Sequence, residues 1–282
     1  MKKLCFIISG LLFATILFSV VFALISRNMP IGEKVALVKV VGPIVSSSDV
    51  INELTKYRKD SSVKSVILRV DSPGGAVAPS QEIYEEVEKL RKEKPVVVSM
   101  GSVAASGGYY IAAPATKIFA NPGTVTGSIG VIMEIPNVKG LMDKLGIKTE
   151  VIKSGRHKDL ASVFRGIGKE ERQILQNVLD DVHKQFIRAV SKGRNIPYDV
   201  IKKIADGRVF TGRQAKEKGL VDELGNLQDA IMEAARLGGI KGEPRVVTKK
   251  EKTSVLEFLT GSTPDRFREL FTFIKLNYMM YY

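Results

Sequence analysis

The sequence predicts an α/β fold, and two observations carry that prediction. From residue 35 onward, short runs rich in β-branched residues alternate with amphipathic stretches of helical period. The loops that follow several of these runs are rich in Gly and Ser, as at the carboxyl ends of parallel strands, where ligand sites gather. The expected strands, in order, are Val35–Val41, Ser65–Val70, Pro95–Met100, Ile118–Ala120, Ser128–Ile132 and Lys148–Lys153. The expected helices are Asp49–Arg58, Val77–Lys92, Gly107–Ala113, Val138–Leu145 and Lys169–Lys192. Strand, crossover helix, strand is the connection that a parallel sheet requires. In Lys169–Lys192, Ile174, Val178, Val182 and Phe186 recur every fourth residue, an apolar stripe for core or subunit packing. His183 lies one step off that stripe beside Asp180 and Asp181 and reads as a surface or interface histidine.

Composition limits the chemistry. The 282 residues carry 43 Lys and Arg against 30 Asp and Glu, a formal charge of +13, with two His, one Cys and no Trp. That length allows one large domain or two modest ones, and 44% hydrophobic residues is far from a disordered composition. A lone Cys forms no intrachain disulfide, and His157, His183 and Cys5 cannot furnish a four-ligand zinc site without carboxylates. Neither a metal nor a cofactor is expected. If the chain is an enzyme, its base is not expected to be histidine.

Leu4 to Ile25 is a run of 22 residues without a charge, long enough to cross roughly 30 Å of hydrocarbon. It reads as a transmembrane anchor. A cleaved signal peptide is the competing reading, because Val21-Phe22-Ala23 resembles a small-residue cleavage site. Lys2 and Lys3 precede the span and only Arg27 follows closely, so the positive-inside rule places residues 1–3 in the cytoplasm and exports the rest. This divides the chain into the anchor 4–25, a linker 26–34, a body 35–240 and a C-terminal region 241–282.

Between Lys184 and Lys218 there are ten cationic side chains against three acids. Exported topology and the lack of a recognised motif argue against nucleic acid. A surface near anionic headgroups and an ordinary solvated face remain the two readings.

Three loops carry residue types suited to catalysis. Asp71-Ser72-Pro73-Gly74-Gly75-Ala76-Val77 is a strand running into a Pro-Gly-Gly turn that opens a helix; glycines allow close backbone approach, and amides at a helix start point at an anion. A simple tight turn explains it equally well. Gly101-Ser102-Val103-Ala104-Ala105-Ser106-Gly107-Gly108-Tyr109-Tyr110 surrounds a serine with small residues just before another helix, which is how a nucleophile is exposed at a strand-to-helix corner. Lys153-Ser154-Gly155-Arg156-His157-Lys158-Asp159 is a dense cationic turn; a lysine acts as a general base where burial and neighbouring positive charge keep it neutral. In isolation each of the last two also reads as a structural loop.

Three further strings, Thr126-Gly127-Ser128-Ile129-Gly130-Val131, Gly207-Arg208-Val209-Phe210-Thr211-Gly212 and Gly219-Leu220-Val221-Asp222-Glu223-Leu224-Gly225, join these loops in a consistent order. Together, over about 200 residues from Val35 to Gly239, they resemble the signal peptide peptidase A family of Ser-Lys proteases, in its short single-copy form, within the wider Clp-protease and crotonase superfamily. The resemblance implies a Clp-protease/crotonase-like repeated ββα spiral, preceded here by the N-terminal transmembrane helix. It implies Ser106 as nucleophile and Lys158, 52 positions later, as general base, with Ser128 orienting the lysine amine. It implies an oxyanion hole from the backbone N–H groups of Gly74, Gly75 and Gly107. The activity implied is that of a membrane-anchored endopeptidase that degrades cleaved signal peptides and other unfolded apolar peptides. Membrane lipids around the anchor and further copies of the chain are the implied partners, with Ser106 and Lys158 meeting within or between subunits. Two other classes stay open: a catalytically silent membrane scaffold and a crotonase-like acyl-CoA enzyme.

Beyond Gly239, Lys249-Lys250-Glu251-Lys252 is a charged linker, Pro264–Lys275 is an amphipathic helical stretch, and Asn277–Tyr282 is an apolar, aromatic tail. The tail is expected to pack on a neighbouring subunit, to lie on the membrane, or to occupy the peptide groove.

Overall fold

The computed structural model describes residues 13–19, 32–249 and 276–279. Its centre is a sheet in which β10 (Arg245–Thr248), β1 (Lys34–Val41), β2 (Val63–Ser72), β4 (Val96–Ala105), β5 (Lys117–Ala120) and β9 (Glu223–Leu224) lie side by side, every neighbouring pair parallel. Alternation along the strands sends residues to two cores. In β1, Ala36, Val38 and Val40 join the larger core while Val35 and Leu37 join the other. In β4, Val96, Val98 and Met100 face the first core and Val97 the second. Burial on both faces explains why these strands read as continuous apolar runs.

Helices cover both faces. On the larger core lie α2 (Ser48–Lys59), α3 (Val77–Arg91), α4 (Gly107–Ala112) and the C-terminal half of α6 (Lys169–Arg194). Tyr84, Tyr110 and Phe186 tie α3, α4 and α6 together, with ring centroids 5.1 and 4.9 Å apart in tilted pairs. On the opposite face α9 (Leu227–Leu237) presents Ala230, Ile231, Ala234 and Ala235. Its start is capped by Asn226, whose side chain accepts the N–H groups of Gln228 and Asp229. The smaller elements are α5 (Lys139–Lys144), α7 (Tyr198–Lys202) and α8 (Gly212–Glu217).

The α/β expectation holds, and a central parallel sheet flanked by helices is consistent with a Clp-protease-like fold. Several elements differ from those expected. Strand β4 runs on to Ala105, through residues read as loop, because β6 (Val125–Gly127) gives its final residues a partner. The strand expected at Ser128–Ile132 starts earlier, as β6, and resumes only as β7 (Ile132–Met133). No strand forms at Lys148–Lys153, where Val151 and Ile152 are exposed; β-branched residues build a strand only where a neighbouring strand and a packed face await them.

Of the expected anchor Leu4–Ile25, only residues 13–19 are described, as a helical segment, α1. The remainder of that run, and the amphipathic stretch Pro264–Lys275, lie outside the described residues. Among the described residues no helix is long and apolar enough to cross a membrane. The C-terminal region contributes β10 to the sheet edge, and Lys249 pairs with Asp49 at 3.0 Å. It also contributes β11 (Leu276–Met279), the middle strand of a second, antiparallel sheet between β3 (Gly74–Ala76) and β7.

Candidate active site

The site is built where β4 changes neighbours. Val97–Ser99 pair with β5, whereas Val103–Ala105 pair with β6. Ala105 lies opposite Gly127, so the next residues on each strand, Ser106 and Ser128, leave the sheet side by side. Both are buried and both have a positive φ, of 51° and 49°. Such a conformation is uncommon for a residue other than glycine and costs on the order of 1–3 kcal/mol. It persists at Ser106 because the surroundings hold it: its N–H donates to the Gly127 carbonyl at 2.8 Å and its carbonyl accepts from Tyr110 N–H at 2.8 Å. Ser128 is held by its N–H on the Arg208 carbonyl, also at 2.8 Å.

Ser106 caps α4, which begins at Gly107, so the Gly107 N–H has no carbonyl one turn back within the helix. Gly108 lets the helix settle on the Pro-Gly-Gly turn, since a Cβ there would meet the Ser72 carbonyl oxygen at 2.7 Å. At the far end of the same turn of helix, the buried Tyr109 hydroxyl donates to the Leu220 carbonyl at 2.9 Å, and burial pushes the phenol well above its ordinary pKa. The strings near residues 207 and 219 thus hold the serine corner in place. Asp222, for which the sequence suggests no role, accepts the Ile118 N–H at 2.7 Å and pairs with Arg194.

In the Pro-Gly-Gly turn, Ile44 donates its N–H to the Gly74 carbonyl and accepts the N–H of Ala76, both at 2.8 Å. The N–H and carbonyl of Gly75 are left for the other edge, where residues 276–279 run antiparallel with Tyr278 opposite Gly75. Gly75 has to be glycine, because a Cβ would sit 2.1 Å from the Ile44 carbonyl oxygen. Gly74, at φ 103°, uses its N–H on the Ser72 hydroxyl at 3.1 Å. Strand β11 also touches α4. A cavity of about 1130 Å³ opens beside Ser128, with Val103, Val125, Ile132 and Leu179 also in its wall.

Lys158 stands apart. It is exposed in a turn closed by its own N–H on the Gly155 carbonyl at 3.1 Å. No side-chain hydrogen bond or ion pair joins it to Ser106 or Ser128 among the described residues. Its neighbours are ordered by charge: Arg165 bridges Asp159, at 2.8 Å, and Glu171. The guanidinium holds the Glu171 carboxyl down at about 2 and Asp159 well below the usual carboxylate range. Arg156 and His157 both reach Glu170. The structure therefore brings together Ser106, Ser128, Gly107 and the Gly74-Gly75 turn, and leaves Lys158 outside that group.

Comparison with known proteins decides the family. The model of peptidase family S49 matches residues 88–241, more than half of the chain. The chain belongs to peptidase family S49. The Clp protease model matches residues 33–126, so the S49 match takes in Ser106, Ser128 and Lys158, and the Clp match takes in Gly74 and Gly75. A Synechocystis protein named as a protease is 44% identical to this S49 chain over 231 residues, covering 81% of the chain and 83% of the relative. A Methanocaldococcus jannaschii protein, also named as a protease, is 42% identical over 197 residues, 70% of the chain and 63% of the relative. An Enterococcus faecium protein named as signal peptide peptidase SppA is 42% identical over 182 residues, 64% of the chain and 53% of the relative. The family resemblance carried by the motifs is thus shown, and the stretch that matches the S49 peptidases contains the whole of the serine corner.

Proposed function

We propose that this S49 peptidase is a serine endopeptidase in which Ser106 is the nucleophile and Lys158 the general base, acting on extended, unfolded, largely apolar peptides that include signal-peptide remnants. The observation that carries the reading is the backbone of Ser106. A buried serine with a positive φ, between the end of β4 and the first turn of α4, is the corner that presents a nucleophile. Lys158 takes the hydroxyl proton as Ser106 Oγ attacks the peptide carbonyl carbon. The tetrahedral intermediate expels the amine, which leaves with that proton, and water then hydrolyses the acyl-enzyme. Once β11 leaves the Gly75 edge, the N–H groups of Gly75 and Gly107 receive the oxyanion. Gly74 shapes the turn and is left out of the donor set, since its N–H is engaged by Ser72.

Lys158 reaches Ser106 in this reading from a neighbouring copy of the chain. Its own exposure supports that, as does the exposure of apolar side chains in the same segment, with Leu145 at 62% and Ile152 at 97%; apolar surface of this kind marks an interaction site. Ser128, next to Ser106, then orients the incoming amine. The antiparallel seat of β11 along β3 and β7 supports the extended binding mode, because a peptide can add to the same edge. The relative named as a signal peptide peptidase supports the substrate class. The run Leu4–Ile25 would tether the catalytic body at the bilayer, N-terminus cytoplasmic and body outside, where such substrates are released. A serine-directed fluorophosphonate tests the core of the reading: it should label Ser106 in the wild type and fail to label the Lys158→Ala variant. Labelling elsewhere, or unchanged labelling in that variant, would overturn it.

A further inference from the structure

We infer that Asp71 is a positioning residue for the serine corner: its carboxylate fixes the bulge by which β4 passes from β5 to β6 and so sets Ser106 beside Ser128. This rests on Ser106 being the nucleophile. Along the β2–β4 pair, Val70 lies opposite Met100 but Ser72 lies opposite Ala104. Asp71 alone therefore faces Gly101, Ser102 and Val103. A bulge of this size interrupts the ladder and strands backbone groups that must find other partners. Asp71 supplies one of them, its Oδ1 accepting the Val103 N–H at 3.1 Å. The fit is close enough to exclude a side chain at residue 101, where a Cβ would lie 2.5 Å from the Asp71 Cγ. From the opposite side the Thr124 hydroxyl donates to the Gly101 carbonyl at 2.7 Å, and the Asp71 carbonyl accepts the Gly42 N–H at 2.9 Å. The bulge is thus clamped on both sides.

The bulge leads directly into the site. Val103, Ala104 and Ala105 pair with Val125, Thr126 and Gly127, Thr126 secures the ladder through its hydroxyl on the Ala104 carbonyl at 2.6 Å, and the next residue is Ser106. A slip of the bulge displaces Ser106 relative to Ser128 and to the Gly75 edge without removing any group that touches substrate. A misplacement of about 1 Å costs on the order of 10²-fold in rate.

The test uses the full chain and compares wild type with Asp71→Ala, Asp71→Asn and Thr124→Val. It reads fluorophosphonate labelling at Ser106, kcat and KM on an unfolded peptide, and the urea midpoint. Asp71→Ala should lower labelling rate and kcat together by about 10- to 100-fold, with KM within about twofold of wild type. Asp71→Asn keeps an oxygen acceptor for Val103 and should recover most of the rate, while Thr124→Val should lower kcat in the same sense as the alanine variant. Wild-type labelling and kcat in Asp71→Ala, or an asparagine variant as slow as the alanine one, overturns the inference. If Asp71→Ala does not fold, the other two decide: a near wild-type asparagine variant with a slowed Thr124→Val supports the clamp, and any other pairing rejects it. Failure of wild-type Ser106 to label would instead remove the nucleophile reading itself.

Discussion

The N–H of Ser106 donates to the carbonyl of Gly127 at 2.8 Å, so two serines of positive φ, at 106 and 128, stand one hydrogen bond apart at the same end of a short strand pair. Pairing of three residues in β6 with three in β4 sets them side by side, and the contacts of Val103 with Asp71 and of Ser128 with Arg208 hold that placement.

That arrangement makes the source of the lysine testable. Ser106→Ala and Lys158→Ala should each abolish peptide cleavage while leaving the chain folded. Co-assembled from denaturant, the two dead variants should regain part of the wild-type turnover, because a mixed assembly offers some intact Ser106 an intact Lys158 from a neighbour. Turnover that stays at zero in verified mixed oligomers would place the pair within one subunit.

Removal of residues 276–282 exposes the edge of β3 that β11 covers. A truncated chain should bind unfolded peptide more tightly, read as a lower KM with little change in kcat. An unchanged KM would mean that peptides bind elsewhere.

Tyr109→Phe removes a buried hydroxyl and leaves the Leu220 carbonyl without its partner. The expected loss is about 1–2 kcal/mol of stability, seen as a lower urea midpoint at constant slope. Activity at a temperature where the variant remains folded should fall only slightly.

The turn around Lys158 should respond to acid. Glu171 and Asp159 are held below their ordinary values by Arg165, so their contribution to order is complete above the ordinary carboxylate range and is lost as pH falls from about 4.5 toward 2. Amide protection factors in residues 153–171 should fall over that interval in wild type. In Arg165→Gln they should already be low at pH 6; unchanged protection in that variant would show that the ion pairs do not order the turn.

Much of the fold is legible in the residues alone. The strands from Val35 to Ala120 are apolar on both faces and announce themselves, and the small-residue string around Ser106 marks its corner because bulky side chains could not pack there. Other features leave weaker traces. β3 is three residues with two glycines, and β-propensity has nothing to register. Asp71 looks like part of a turn signal, since its partner Val103 lies 32 residues away and only the bulge brings them together. At Lys148–Lys153 the pattern suggests a strand, but pairing needs an edge, and among the described residues that segment has none. The placement of Lys158 is beyond the reach of its sequence for a related reason: the local residues fix its turn but not what the turn packs against.

The side of Gly74–Ala76 that β11 covers has a wider consequence. An added strand is read there mainly through its main-chain N–H and C=O groups, which every residue except proline carries. On the proposed function, such an edge distinguishes polypeptides first by whether their backbones are already spoken for. A folded protein, having spent those groups on its own ladders and helices, would be refused; a chain stripped of its fold would be admitted.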